Sequence, residues 1–389
     1  MKSPDSIKPG LVLLMAFTVG AVVANVYYVQ PLLAEIARTF GLSVTGAGRL
    51  ATLIQIGVAV GQFVFVPLGD ILERRRLTLR LILAAAVALA LMTVAPTVGP
   101  FALACFLLGT TASAAHVILP FAATLAPPER RGKVVGQVFS GLLMGILLAR
   151  TYAGVMASFF GWRAVYGVAC GAMLLLAVLV RANLPQGPPI STLSWTDLLR
   201  SIPPMWRELP VWREACLTGM LVFSTFSAFW TTLIFFLESP AYHYGSREAG
   251  LFGLIGLAGA LCAPLVGKLA DRHGARRNVA IALWINVAAW AVMAIYGKVL
   301  WGLIAGVLLL DLAVQAVQVS NQTRVYALRP DARSRLNMVY MTLYFLGGSF
   351  GAFVASASWR AFGWTGVCVY AEVATVAAIL VHSSFAKSA

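Results

Sequence analysis

Twelve runs of mostly apolar residues constrain this chain more than any other feature. They lie near 11–33, 46–68, 77–95, 101–125, 134–157, 163–181, 214–237, 247–267, 277–297, 299–326, 336–358 and 364–383. A helix needs about 20 such residues to cross the hydrocarbon core of a bilayer. The pattern therefore predicts an all-α membrane protein with twelve transmembrane helices. Composition closes off the soluble alternative: 60% of the residues are hydrophobic and 11% are charged, against about 25% charged in soluble domains. The first run is too long for a signal-peptide core and has no clear cleavage site, so it is expected to remain as the first span.

The formal charge of +15 would suit a nucleic-acid binder. The positive residues, however, sit in short clusters between apolar runs and form no basic face, so no nucleic-acid partner is expected. With both termini in the cytoplasm, the inner loops receive Arg74, Arg75, Arg76, Arg80, Arg130, Arg131, Lys133, Lys268, Arg272, Arg276, Arg277, Arg329, Arg333 and Arg335 among others. The outer loops receive only Arg38, Arg49, Arg163, Arg247, Lys298 and Arg360. This asymmetry predicts a multi-pass protein of a bacterial-type inner membrane with cytoplasmic termini. The five cysteines, Cys105, Cys170, Cys216, Cys262 and Cys368, all fall inside apolar runs without paired spacing. They read as packing residues, and neither a metal nor a cofactor is expected.

One long connection, 182–212, holds Pro185, Pro188, Pro189, Pro203, Pro204 and Pro210, which rule out one continuous helix. It divides the chain into a bundle over 1–181 and a second over 213–389. The halves repeat each other. Pro128-Glu129-Arg130-Arg131-Gly132-Lys133 answers Pro330-Asp331-Ala332-Arg333-Ser334-Arg335, and Phe160-Gly161-Trp162 answers Phe362-Gly363-Trp364, both at an offset of 202. Asp70 with Arg74, Arg75 and Arg76 answers Asp271 with Arg272, Arg276 and Arg277 within one residue of that offset. The chain is a tandem duplication.

These loops resemble the major facilitator superfamily, whose signature follows the second and eighth helices. Gly267, Asp271, Arg272, Gly274, Arg276 and Arg277 match it closely. The first copy departs, with Val66, Ile71 and Glu73 at the positions of the first glycine, the first arginine and the turn glycine. The resemblance covers the whole chain, and its loop before the fifth span is similar to the drug:proton antiporter and sugar-efflux branch. It implies two pseudo-symmetric six-helix bundles that rock about a central cavity. Asp70, Arg74, Asp271, Arg272 and Arg276 are then candidates for a gate joining the bundles at the cytoplasmic face. The antiporter motif in the fifth span is incomplete: Gly141 and Gly145 match, but Ile146, Ala149 and Arg150 replace a proline and paired glycines.

Charge inside a span costs about 2.5–3.5 kcal/mol on insertion scales, so each instance needs a reason. Asp311 falls near the middle of the tenth span, and Gln315, Gln318 and Gln322 follow on the same helix face. This stripe is expected to line the cavity, with Asp311 as a proton carrier. Arg150 in the fifth span stays charged and needs an anionic partner, carbonyls or water. A salt bridge to Asp311 and a clamp on an anionic substrate are both open. Asn25 and Tyr28 lie one turn apart in the first span with Gln30 nearby, and His116 aligns with Gln318 under the repeat. Trp230, Tyr340 and Tyr344 are possible aromatic walls. Gly253, Gly256 and Gly259 are expected to let the eighth span slide on the fifth.

Proton-coupled export of a small organic solute by antiport is the leading expectation, by a protein acting as a monomer in the lipid bilayer. Uptake or facilitated diffusion of an organic anion through Arg150 is the alternative. A membrane enzyme would need a clustered nucleophile, a metal set or a phosphate cradle, and the sequence offers none.

Overall fold

The computed structural model describes residues 8–127, 130–187, 195–261, 274–329 and 332–385. Among the described residues, every long apolar run is helical. Span 1 is Pro9–Tyr27 followed by Val29–Phe40, span 2 is Val44–Ile71, and span 3 is Arg74–Val94. Span 4 is Val98–Thr111 continued by Ala114–Leu125, span 5 is Arg131–Phe160, and span 6 is Trp162–Asn183. Two short helices, Trp195–Arg200 and Ile202–Glu208, follow; the second starts on prolines, which suit a first turn because its N–H groups have no partners. Pro210–Leu237 is span 7, Ser246–Leu261 opens span 8, Ala275–Tyr296 is span 9, and Leu300–Leu328 is span 10. Arg333–Ser384 contains spans 11 and 12, broken where Gly363 takes φ 60° and ψ −148°.

The duplication is visible in the helix boundaries. Val44 and Ser246, Val98 and Leu300, and Arg131 and Arg333 each start equivalent helices. The two Phe-Gly-Trp landmarks are matching corners, with Gly161 at φ 76° and Gly363 at φ 60°. Positive φ there excludes most side chains and explains the glycines. Gly41 and His243 form a third matched pair, at φ 66° and 56°, with histidine accepting the left-handed turn. Caps are shared too. Arg131 Nε donates to the Ala123 carbonyl at 3.0 Å and Arg333 Nε to the Tyr326 carbonyl at 2.9 Å, cations at the ends of spans 4 and 10.

The halves meet along spans 2 with 11 and 5 with 8. Small residues make both seams. A Cβ on Gly154 would strike the Ser246 carbonyl and the Gly250 backbone, and one on Gly48 would strike Ser356. Two of the three glycines expected to face span 5 do so: Gly253 sits against Leu147, Arg150 and Thr151, and Gly256 against Leu147; the surroundings of Gly259 lie outside what is described. Thr151 Oγ1 adds a hydrogen bond to the Gly250 carbonyl at 3.0 Å.

The halves also touch on the face opposite the termini, here called the distal face. Val29–Phe40 packs on span 7, and Arg38 binds Glu238 with both carboxylate oxygens within 2.9 Å. Ser246 Oγ donates to Glu35 Oε1 at 2.5 Å, tying span 8 to span 1. The pair Arg38–Glu238 is exposed, so it adds at most about 1 kcal/mol; its value is as a marker of distal closure. Bridging Arg38→Cys to Glu238→Cys with a short bis-maleimide, in a background without the native cysteines, should stop transport. Undiminished turnover of the cross-linked protein would show that the distal face does not need to open.

Candidate substrate site

Span 5 places Arg150 between the halves at 2% exposure. Its Nε donates to Gln30 Oε1 at 2.7 Å and its Nη1 to the Ile146 carbonyl at 3.4 Å. Its carbon Cζ lies 3.8 Å from the Trp230 ring centroid, 4.8 Å from that of Tyr27 and 5.7 Å from that of Phe226. A desolvated cation–π contact contributes about 2 kcal/mol, and a hydrogen bond to a charged group about 1.5–3 kcal/mol. Together these offset the insertion cost of about 2.5–3.5 kcal/mol. Arg150 is therefore held in place without a carboxylate.

The salt bridge to Asp311 is accordingly not formed. The two charges lie within electrostatic reach of each other, yet Asp311 Oδ2 and Arg150 Nη2 are both buried without a hydrogen-bond partner. Gly256 borders the carboxylate, since a Cβ there would sit 2.7 Å from Oδ2. The Trp230 indole N–H faces the same carboxylate without closing a hydrogen bond. Asn25 in span 1 is buried with both amide atoms unpaired. Three polar groups, Arg150, Asp311 and Trp230, thus converge between the halves with unused hydrogen-bonding capacity.

Aromatic rings extend this site along spans 7 and 11. Trp230 contacts Phe226 at 6.1 Å, Phe226 stacks on Phe223 at 5.4 Å, and Phe223 stacks on Tyr344 at 4.0 Å. Tyr344 then donates to Gln318 Oε1 at 3.2 Å and touches Tyr340 at 6.0 Å. Gln315, Gln318 and Gln322 are each half-buried, and Gln322 Nε2 reaches the Met341 sulfur at 3.5 Å. Tyr28 packs on Tyr152 at 5.2 Å, within the first half. The sequence reading passed over Tyr27, Phe223 and Phe226. The spacing of Phe223, Phe226 and Trp230 by three and four residues is a helix-face signal that would have found two of them.

Other expected residues lie elsewhere. His116 Nδ1 sits 2.8 Å from Gln62 Nε2, which ties span 4 to span 2 inside the first half. Arg74 is buried and serves its own half: Nε donates to the Gly69 carbonyl at 2.9 Å, Nη2 to Asp70 at 3.0 Å and Nη1 to Thr124 at 3.3 Å. Arg276 donates to the carbonyls of His382 and Phe385, closing the end of span 12. Each cation sits on helix carbonyls, where the helix dipole favours it, and the hydrogen bonds described for both lie within their own halves. Asp271 and Arg272 lie outside the described residues. Glu73, which stands at the signature's turn glycine, is an N-cap. It accepts from the N–H groups of Arg75, Arg76 and Gly187 at 2.9–3.0 Å. Partial burial would raise its carboxyl, and these donors outweigh that, holding it below the usual range.

Residues 13–352 match the family model described as Major Facilitator Superfamily. The chain is 40% identical over 380 residues to the Escherichia coli O157:H7 protein named Uncharacterized transporter YgaY, covering 98% of this chain and 96% of that one. It is 36% identical over 369 residues to the Streptomyces coelicolor protein named Probable transporter SCO4007, covering 92% and 83% respectively. Among solved structures it is similar to a bacterial homolog of the human lysosomal transporter Spinster, inward-facing and unoccupied. That match has a TM-score of 0.79 at 15% identity, over 97% of this chain and 96% of the other. A D-xylose-proton symporter superposes with a TM-score of 0.73 at 16% identity, over 96% and 97%. With its helices, its repeat and these relatives in agreement, the chain belongs to the major facilitator superfamily and is a multi-pass membrane transporter.

Proposed function

We propose that the transporter moves a small organic solute bearing an acidic group on an apolar or aromatic body, with Arg150 as its anchor and Asp311 as the proton site. One observation carries this: Arg150 is fixed between the halves, caged by three aromatic rings, with one guanidinium nitrogen still unpaired. A carboxylate arriving there gains a charge-assisted hydrogen bond, and its body meets Trp230, Phe226 and Phe223. The assignment of 1–181 and 213–389 as the moving bundles, 182–212 as their linker, and the terminal face as cytoplasmic belongs to the same reading. So does placement in a bacterial inner membrane.

Coupling follows from charge. An anion on Arg150 cancels the positive field that Asp311 feels, and a buried carboxylate deprived of that field takes up a proton. Anion and proton then bind together, and the site keeps its net charge. Trp230 fluorescence offers the first test, using a panel of aromatic carboxylates and their neutral amides on the purified protein. Quenching by the acids and not by the amides, lost in Arg150→Ala, is the expected pattern. Equal binding of amides and acids would refute the anchor.

Asp311→Asn separates binding from coupling. In proteoliposomes the variant should retain solute exchange at equal pH and lose accumulation driven by a pH gradient. Accumulation that persists at the wild-type level would remove Asp311 from coupling.

A second reading, export by proton antiport, draws on the unpaired Asp311 Oδ2. A cationic or neutral solute that occupies it displaces the proton instead of recruiting one. Growth inhibition across a compound panel in an efflux-deficient host distinguishes the two, since only this reading expects resistance that vanishes in Asp311→Asn.

A further inference from the structure

Beyond the central site, the second half holds a buried ionic cluster near the terminal face. Glu214 of span 7 is 0% exposed. Its Oε1 lies 2.6 Å from His382 Nδ1 of span 12 and accepts from Arg324 Nη1 of span 10 at 3.1 Å. Its Oε2 accepts from Arg324 Nη2. Asn321 completes the cluster: its Oδ1 accepts from Arg324 at 3.3 Å, and its amide donates to Thr218 Oγ1 at 3.1 Å and to the Ala215 carbonyl. Nearby charges among the described residues are Arg213, whose guanidinium stacks on Phe385, and Arg276, which binds the His382 and Phe385 carbonyls.

The fold does not require this cluster. Displaced by the repeat offset, its equivalents in the first half are Val12, Ala122 and Val180, all buried at 6%, 0% and 1% exposure. The same helix packing is therefore satisfied by apolar side chains in one half and by three ionisable groups in the other. Intramembrane ionisable groups are costly and mark functional sites, and this set carries the elements of a proton relay. His382 keeps 11% of its side chain exposed and Arg324 10%, while Glu214 behind them has none.

We propose that His382 and Glu214 form a second proton-binding site of the transport cycle, entered from the terminal face, with Arg324 as the counter-charge that its loading releases. In the loading step His382 Nε2 takes a proton from water while the Nδ1–H bond breaks and an O–H bond forms on Glu214 Oε1. The imidazole ends neutral in its other tautomer, and one proton has moved from solvent to the carboxyl group. Arg324 then faces a neutral acid, and the ion pair between spans 7 and 10 is reduced to a hydrogen bond from a guanidinium that has lost its counter-charge. These are the spans that carry Trp230 and Asp311, so loading this site loosens the helix pair that frames the central one.

The test needs no knowledge of the solute. Infrared difference spectra of the reconstituted full-length protein, titrated across about pH 5 to 8 where histidine changes charge, read carboxyl protonation directly. The expected result is a protonated-carboxyl C=O band that titrates in the wild type, disappears in Glu214→Gln, shifts its midpoint in His382→Gln and persists in Asp311→Asn. If every titrating band is kept in Glu214→Gln and lost in Asp311→Asn, the central reading stands and the second site is overturned. No titrating band in the wild type would overturn it as well. The variant E214V/R324A/H382V, which copies the first half, guards against loss of folding. It should fold and still transport, with the pH profile of transport displaced; an unchanged profile would reject the proposal.

Discussion

Replacing Arg150 with alanine should reduce transport of a carboxylate solute by about 100-fold or more, the equivalent of one lost charge-assisted contact of roughly 3 kcal/mol. The measurement is initial uptake into proteoliposomes at matched protein density. The probe is the aromatic acid that quenches Trp230 best. Insertion should survive the change. The side chain leaves behind aromatic faces and Gln30, a neutral amide near an apolar surface, and Asp311, relieved of the positive field of Arg150, takes up a proton and is not stranded as a charge. Arg150→Lys is the sharper comparison. It keeps the charge but loses the planar fork that stacks on Trp230 while donating to Gln30. It should fall between wild type and alanine, chiefly through weaker binding. Wild-type uptake by Arg150→Ala would exclude Arg150 as the anchor, and the export reading through Asp311 would take its place.

The parts of this molecule readable from sequence are those written in local pattern. The apolar runs announce the spans because lipid forbids any other use of them. The Phe-Gly-Trp corners announce the duplication because positive φ at Gly161 and Gly363 tolerates little else. Arg150 and Asp311 stand out as charges in apolar helices. Their relation to each other is not local, and the salt bridge that opposite charge invites is replaced by ring faces contributed by spans 1 and 7. His116 follows the same lesson. Repeat alignment makes it the equivalent of Gln318 and expects it to face the same cavity, and only packing reveals that Gln62 of span 2 holds its ring nitrogen. Glu214 and His382 were hidden for another reason. Each lies close to a span end among polar neighbours, where a charge reads as an interface residue, and only packing reveals their burial against Arg324.

That cluster yields the second large expected effect, on stability. Arg324→Ala should destabilise the protein by about 3–5 kcal/mol, because it strands Glu214 as a buried carboxylate. A large drop in the thermal unfolding midpoint in detergent should report this, together with a lower folded yield on size-exclusion chromatography. The triple change E214V/R324A/H382V removes more polar contacts yet should melt near the wild type. It exchanges a fully desolvated ionic set for the side chains that already pack the equivalent place as Val12, Ala122 and Val180. Replacing a buried ion pair by well-packed apolar groups is often neutral or stabilising, whereas halving it is not. The comparison therefore separates two roles that a single substitution confounds. If the single and triple variants are equally unstable, the cluster holds spans 7, 10 and 12 together, and its retention needs no functional account. If the triple variant is stable while its transport has lost its normal pH response, the charges are kept for what they do during the cycle.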